Sequence, residues 1–290
     1  MLIITALITG LGLGSMYGLL ALGFHVTYAV SATVNFAQGS SMMLGAVFAY
    51  VFALRLGWPL PLAAAMALLL CAAYGAVVEL VAVRPFARRG SNAWLMATVA
   101  LGIVADNTVL FTFGKEPRGF QMAWAQGGVE VGGVHVSALQ LLIPAFGLVL
   151  AFLLNVLSTR TRLGKAMLAV VQNPEAARLM GINVPVVICA AYALSTAFAG
   201  AAGILIAPLF NVQSDMGTVF GLKAFAVAIL GGIGSAWGVM LAGLLFGVVE
   251  AMITSLLGST YTQILTFTLV IVALAIKPNG LFGRAEVKKV

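Results

Sequence analysis

Three carboxylates lie inside long apolar runs of the sequence, where they are the side chains most able to do chemistry. Glu79 stands near the end of one run, Asp106 in the middle of another and Glu250 in the middle of a third. A charge at the centre of a membrane helix costs about 2.5–3.5 kcal/mol on insertion scales, so each carboxylate needs a partner or a watery pathway. Glu79 is expected to pair with Arg84 or another basic group. Asp106 and Glu250 each fit two roles, a buried hydrogen-bond partner or a pathway residue.

Two other kinds of chemistry are not expected. His25 and His135 are the only histidines and lie in different predicted loops, which argues against a metal site and against a serine–histidine hydrolase. The sequence has no Gly-x-x-x-x-Gly-Lys-Ser/Thr motif, and Gly232-x-Gly234-x-x-x-Gly238 misses the dinucleotide-binding spacing by one residue. We therefore expect neither enzyme activity nor a bound cofactor on this chain. If ATP drives the protein, another chain binds it.

Short polar or glycine-rich breaks interrupt the apolar runs. Asn35 and Gln38 could line a broken helix that faces a substrate, or Asn35 could simply cap the start of a helix. The Gly231–Gly238 stretch is typical of a helix break, which backbone tolerates in a membrane only beside protein or a water-filled cavity. The predicted pathway residues from these breaks and spans are Asn35, Phe36, Gln38, Gly39, Thr98, Asp106, Asn107, Gly231, Gly232, Gly234 and Glu250.

One polar segment, residues 158–183, separates two long apolar runs and carries several cations. Asn173 is placed to cap a short helix, Pro174 fits its first turn, and Glu175 complements the positive helix end. Gly181 would close that helix. A capped helix of this kind on a membrane domain suggests a docking element; the alternative is a solvated connector between two spans.

Composition decides the class of protein. The chain has 290 residues, of which 62% are hydrophobic and 8% charged, against about 25% charged in soluble domains. Its apolar runs are continuous and long enough to span a bilayer as helices. We predict an all-α polytopic membrane protein, a single domain over residues 1–290 with eight or nine transmembrane helices, some broken or re-entrant. The first span is expected to end near Phe24 before a break from His25 to Gln38, and Leu222–Leu230 is too short to span.

The basic residues orient this predicted topology. Eleven of the 15 lysines and arginines fall on the side that holds residues 158–183, and four, including Lys223, fall on the other. This asymmetry places the first group in the cytoplasm, the N-terminus outside and the C-terminus inside. The net charge of +7 is thereby explained without a nucleic-acid partner.

Several separated motifs resemble the permeases of branched-chain amino acid ABC importers, and the resemblance extends over essentially the whole chain. The matching segments, in order, are Val34-Asn-Phe-Ala-Gln-Gly39, Val83-Arg-Pro85, Gly164–Ile182, Lys223-Ala-Phe with Leu230-Gly-Gly-Ile-Gly-Ser235, and Pro278-Asn-Gly-Leu-Phe-Gly283. The length is similar to that of the shorter, LivH-type subunit. The family often has a neutral residue where Asp106 stands, so the polarity of this pathway is expected to differ.

The resemblance implies a multi-pass permease of the bacterial inner membrane that moves branched-chain or other hydrophobic amino acids. A second, similar permease subunit, giving a heterodimer rather than a homodimer, two cytoplasmic ATPase subunits that bind ATP and Mg, and a periplasmic substrate-binding protein would complete the importer. The residues it implies for coupling to the ATPase are Gly164, Asn173, Pro174, Glu175, Ala176, Ala177, Arg178 and Gly181.

Two alternatives remain open at the level of sequence. The same machine could carry urea, short amides or aromatic carboxylates, as relatives of the family do. An ion-coupled secondary transporter working alone could use Asp106 and Glu250 as relay carboxylates.

Overall fold

The computed structural model describes residues 2–120, 128–131, 134–277 and 280–283, and most of them are helical. The first half contains α1 (Leu2–Ser31), α2 (Gln38–Tyr50), α3 (Leu60–Val78), α4 (Arg84–Ala87) and α5 (Trp94–Phe113), with π-helical turns Val51–Arg55 and Glu79–Val83 extending α2 and α3. A pair of antiparallel strands follows, β1 (Gly128–Val131) and β2 (Val134–Ser137). The second half contains α6 (Ala138–Arg160), α7 (Arg162–Gln172), α8 (Pro174–Leu179), α9 (Val184–Ile206), α10 (Met216–Gly231), α11 (Ala236–Leu257) and α12 (Ser259–Ile276).

Several of these helices can cross a bilayer. Within the described residues, six are long and apolar enough to do so: Ile3–Ser31, Leu60–Ala87, Trp94–Phe113, Val184–Ile206, Ala236–Leu257 and Ser259–Ile276. Two shorter apolar segments, Leu142–Leu154 within α6 and Met216–Gly231, add to them. This arrangement is compatible with the predicted eight or nine spans and makes the chain a multi-pass membrane protein. The C-terminal residues 284–290, predicted to lie on the cytoplasmic side, are outside the described residues.

The first break is shorter than the sequence indicates. Helix α1 continues past Phe24 to Ser31, so only residues 32–37 separate it from α2. Its polar side chains bond within the helix: the Thr27 hydroxyl donates to the Phe24 carbonyl at 3.1 Å, and the Ser31 hydroxyl to the Thr27 carbonyl at 2.8 Å. Each hydroxyl thus donates its hydrogen bond to a backbone carbonyl of the preceding helical turn. For this reason the polar residues that were predicted to form a loop can continue an apolar helix.

The prediction for Leu222–Leu230 is also wrong in its extent. Helix α10 begins at Met216, six residues before Leu222, and ends at Gly231. Gly232 then adopts a φ of +82°, a left-handed conformation that favours glycine. The Ser235 hydroxyl accepts a hydrogen bond from Gly238 N at 3.2 Å and starts α11, which confirms the predicted break between two helices.

Helix α1 is the central element because α11, α9, α6 and α10 all pack against it. Its glycines allow the closest approach: Gly14 lies against the backbone of Gly243 and Gly247, while Gly18 lies against Met240. The residue numbers rise along one helix as they fall along the other, so α1 and α11 run antiparallel. Close backbone contact between small residues is a recurrent way to join helices in membranes.

Candidate functional site

The connection between α1 and α2 is held by a buried network around Gln38. Gln38 Nε2 donates to the Ser195 carbonyl and its Oε1 accepts from the Ser195 hydroxyl, both at 3.0 Å. Asn35 donates to the same Oε1 at 3.4 Å, and its own Oδ1 accepts from Ala37 N at 3.0 Å. Asn35 therefore closes a turn before α2, where Ala37 holds the N-cap position without a side-chain cap, so the expectation that Asn35 caps the helix is wrong. Both amides are fully buried and bonded to protein.

A second set of bonds fixes the rest of this connection. The Thr33 hydroxyl bonds to the Tyr192 hydroxyl at 2.7 Å, and Phe36 N donates to the Thr98 hydroxyl at 3.4 Å. Thr98 in turn donates to the Leu95 carbonyl at 2.9 Å. Backbone outside regular helix thus finds its partners in protein, as it must at membrane depth. The ring of Phe36 is left to face a cavity.

That cavity has a volume of about 170 Å³ and lies between α1, α2, α5 and α10. One end is aromatic: the Phe225 ring lies 5.5 Å from that of Phe24 and 5.1 Å from that of Phe36 between centroids. Its remaining lining residues are Gly39, Ser40, Val99, Gly102, Ile103, Asp106, Gly217, Thr218, Gly221 and Leu222. Three predicted pathway residues, Phe36, Gly39 and Asp106, therefore meet around one space.

Asp106 is the charged residue of this lining. Its Oδ2 accepts from the Thr218 hydroxyl at 3.4 Å, while its Oδ1 is buried without a hydrogen-bond partner among the residues that the structure describes. The neighbouring Asn107 is exposed and donates to the Ile103 carbonyl of its own helix at 2.8 Å. Of these two adjacent residues of α5, Asp106 therefore lines the cavity and Asn107 lies outside it.

A larger groove of about 600 Å³ lies between α2, α3 and α5. Its walls are mainly apolar and include Phe48, Phe52 and Phe113, with Arg55 as the charged member. Asp106 does not line it, and neither do the other predicted pathway residues. We therefore take the smaller cavity, which is lined by the predicted pathway residues Phe36, Gly39 and Asp106, as the candidate site.

Glu250 forms a buried ion pair that the sequence did not indicate. Lys223 Nζ donates to Glu250 Oε1 at 2.5 Å, and the two residues are 8% and 7% exposed. The ammonium also lies 5.9 Å from the centroid of the Tyr17 ring. Lys223 is thus not an extracytoplasmic cation but an interior partner that neutralises a carboxylate in an apolar span.

Glu79 and Arg84 confirm the expected pairing. Arg84 donates through Nε to Glu79 Oε1 at 2.9 Å and through Nη2 to Oε2 at 2.7 Å, a bidentate arrangement. The same Nη2 reaches the Pro185 carbonyl at 3.3 Å. The pair therefore ties the end of α3 to the start of α9, a structural role.

The remaining predicted pathway residues lie at the other end of α10 from the cavity. Gly231 is in contact with the backbone of Gly238, and Gly232 with that of Gly280, so the break is closed by protein. Leu281 N donates to the Leu230 carbonyl at 2.6 Å. Gly234 has open space around its Cα. The structure does not bring these glycines together with Asp106.

The segment after α6 forms two capped helices. The Thr161 hydroxyl accepts from Gly164 N at 3.0 Å at the start of α7. Asn173 Oδ1 accepts from Glu175 N and Ala176 N, both at 3.0 Å, and so caps α8 as predicted.

The end of α8 is closed as predicted too. Gly181 has a φ of +82°, and its N–H donates to the Arg178 carbonyl at 3.0 Å while Ile182 N donates to the Ala177 carbonyl at 3.0 Å. These two bonds form a Schellman motif.

Burial divides the predicted coupling residues into two groups. Gly164 and Ala177 are buried, whereas Asn173, Glu175 and the other members are exposed. The sequence reasoning missed two apolar neighbours at the end of α8: Leu179, its last residue, is 89% exposed, and Met180, which follows it, is 82% exposed. Their position at the end of a capped polar helix was the available signal, because apolar residues there have no core to fill.

Comparison with known proteins identifies the family. The family model of the branched-chain amino acid transport system permease component matches residues 6–274. The chain belongs to this permease family. It is 33% identical over 299 residues to the high-affinity branched-chain amino acid permease protein BraD of Pseudomonas aeruginosa, covering 98% of this chain and 97% of that protein. It is 32% identical over 294 residues to LivH of Escherichia coli K12, covering 97% and 96%.

A solved structure, PsaBC from Streptococcus pneumoniae in complex with Fab, covers 93% of this permease at a TM-score of 0.49 and 14% identity.

Family membership makes the chain a membrane permease subunit of an ABC transporter and not itself an enzyme. Permeases of this family work with another permease, with ATPases and with a binding protein.

Proposed function

We propose that this chain is one half of a heterodimeric permease in the bacterial inner membrane, and that it imports branched-chain or other hydrophobic amino acids. Two ATPase subunits on the cytoplasmic side bind ATP and Mg, and a periplasmic binding protein delivers the cargo. The permease relatives BraD and LivH, named for branched-chain amino acid transport, support this cargo over urea, short amides or aromatic carboxylates.

The observation that carries the proposal is that α8 is capped at both ends and exposes two apolar side chains. Asn173 caps its start, the Gly181 turn closes its end, and Leu179 and Met180 project from it with almost no contact to the rest of the chain. A rigid helix with an exposed apolar end is suited to a cleft in a partner protein. When the paired ATPases close on ATP, α8 would move with them as a rigid body. Because α7 joins α8 to the membrane spans, this movement would switch the spans between two states.

The contacts of Glu250 weaken the ion-coupled alternative. A relay carboxylate must gain and lose a proton, whereas Glu250 is held by the Lys223 ammonium in an apolar interior. Of the two predicted relay carboxylates, Asp106 is the one without a basic partner among the residues that the structure describes.

Transport into proteoliposomes tests the proposal. The complete complex and its loaded binding protein would be supplied with labelled leucine, urea or an aromatic acid, with and without ATP. We expect leucine uptake that requires ATP. Uptake driven by an ion gradient without ATP would overturn the importer mechanism, and ATP-dependent uptake of urea alone would overturn the cargo.

A further inference from the structure

The cavity between α1, α2, α5 and α10 is lined by two chemically different kinds of group. Phe24, Phe36 and Phe225 form an aromatic cluster, and Asp106 supplies a carboxylate to the same space. Among the residues that the structure describes, none that lines the cavity is basic. Its charge pattern therefore suits a ligand that is apolar over most of its body and positive at one group.

The geometry of Asp106 points to the position of that positive group. Oδ2 receives a single long hydrogen bond from Thr218, and Oδ1 receives none from the described residues although it is buried. The Ser40 hydroxyl also lies near this carboxylate, but it donates to the Gly102 carbonyl at 3.2 Å. A buried carboxylate oxygen without a donor is costly, and an ammonium group supplies both the charge and the missing hydrogen bonds. Asp215, exposed at the start of α10, is a second acid near this place and adds negative potential.

The nearest cation along α10 does not serve this purpose. Lys223 lies five residues beyond Thr218, but its ammonium is bonded to Glu250 at 2.5 Å. It is packed beside the Tyr17 ring and does not line the cavity. Of the two carboxylates that lie beside α10, Glu250 is paired with a cation, whereas Asp106 has no cationic partner among the residues that the structure describes.

We propose that Asp106 binds the ammonium group of the cargo and that the three phenylalanines receive its apolar side chain. The cavity then selects apolar amino acids and amines over neutral amides and over carboxylates that lack an amino group. Its volume of about 170 Å³ fits a small metabolite, since pockets for drug-sized ligands hold about 300–1,000 Å³. This inference rests on the proposed function and specifies the chemistry of its cargo.

Two probes that share one apolar body test the proposal on the complete transporter in lipid nanodiscs. One is 3-methylbutylamine, which carries an ammonium group, and the other is 4-methylpentanoate, which carries a carboxylate instead. We expect the amine to bind the wild type more tightly than the carboxylate does. Asp106→Asn should weaken amine binding at least about tenfold, because a charge-assisted hydrogen bond is lost, and should not weaken carboxylate binding.

Asn107→Ala is the matched control, because Asn107 is adjacent on α5 but lies outside the cavity, and it should bind the amine as the wild type does. Equal amine binding by the wild type and Asp106→Asn, absent amine binding, or preference for the carboxylate would overturn the inference. If Asp106→Asn does not assemble, the comparison of the two probes on the wild type still decides.

Leucine uptake by the same wild-type complex separates this inference from the proposed function. ATP-dependent leucine uptake together with amine binding that ignores Asp106 would refute the Asp106 site alone. Failure of ATP-dependent uptake of any amino acid would refute the proposed function, whatever the probes show.

Discussion

Lys223 Nζ and Glu250 Oε1 lie 2.5 Å apart inside the membrane domain and join α10 to α11. Each residue is more than nine-tenths buried, so bulk solvent cannot readily replace its partner. Helix α10 also supplies Gly217, Thr218 and Gly221 to the cavity. The ion pair therefore fixes the helix that forms one wall of the candidate site.

Removal of one partner of this pair should destabilise the protein strongly. Lys223→Met leaves the Glu250 carboxylate buried without its cation, and such changes cost about 3–5 kcal/mol. We expect a large fall in the midpoint of thermal unfolding of the detergent-solubilised chain. Lys277→Met, which removes an exposed lysine after α12, should leave the midpoint unchanged.

The double variant Lys223→Met/Glu250→Leu sharpens this prediction. Replacing both charges by apolar side chains of similar size leaves no uncompensated ion, so its stability should lie closer to that of the wild type than to Lys223→Met. A double variant as unstable as the single one would show that packing, and not the unpaired charge, sets the cost.

The sequence predicts local features of this protein better than features that join distant segments. The cap at Asn173 and the closing turn at Gly181 were predictable, because each depends on residues within one helical turn. The partner of Glu250 was not, since Lys223 lies 27 residues away, in a run judged too short to span, and was assigned to the extracytoplasmic side. The cavity also depends on tertiary structure, because Gly39 on α2 and Asp106 on α5 come together with α10 only when these three helices pack.

Gly247 in α11 offers a test of the close packing between α1 and α11. A Cβ at this position would overlap the backbone of Gly14 and of Gly10, neither of which can move without shifting α1. Gly247→Ala should therefore lower stability by about 1–3 kcal/mol, even though alanine favours helix by about 1 kcal/mol over glycine. Thermal unfolding would measure the change.

Gly234 provides the control for that substitution, because an added Cβ there meets no atom within 4 Å. Gly234→Ala should unfold at the wild-type temperature. If Gly247→Ala were as stable as Gly234→Ala, the two helices would have to separate more easily than their contact suggests.

The cap of α8 can be tested by hydrogen exchange. Asn173→Ala removes the oxygen that accepts from Glu175 N and Ala176 N, and loss of such a cap costs about 1 kcal/mol. These two amides should exchange several-fold faster, while amides in α9 keep their protection. Asn173→Asp retains an acceptor and should restore slow exchange; equal exchange in all three proteins would contradict the cap.

Charge reversal at the start of α8 should uncouple transport from ATP. Glu175 is exposed and complements the positive end of the helix, so Glu175→Arg places a bulky cation at both the helix end and the proposed contact with the ATPase. We expect ATP-dependent leucine uptake to be lost while the complex still folds. Glu116→Arg, an exposed reversal in the loop after α5, should transport normally, and equal uptake by both variants would contradict the docking role.

Leu179 and Met180 give the most direct test of whether α8 docks. Since both side chains are more than four-fifths exposed, Leu179→Ser/Met180→Ser should not change the unfolding temperature of the isolated chain. If they fill an apolar cleft of an ATPase, the double variant should lose about 1.5–3 kcal/mol for each side chain that is buried there, enough to abolish co-purification of the ATPase. The exchange Leu179→Met/Met180→Leu keeps the apolar surface and should retain the ATPase. Full retention by the serine variant would instead identify α8 as a solvated connector.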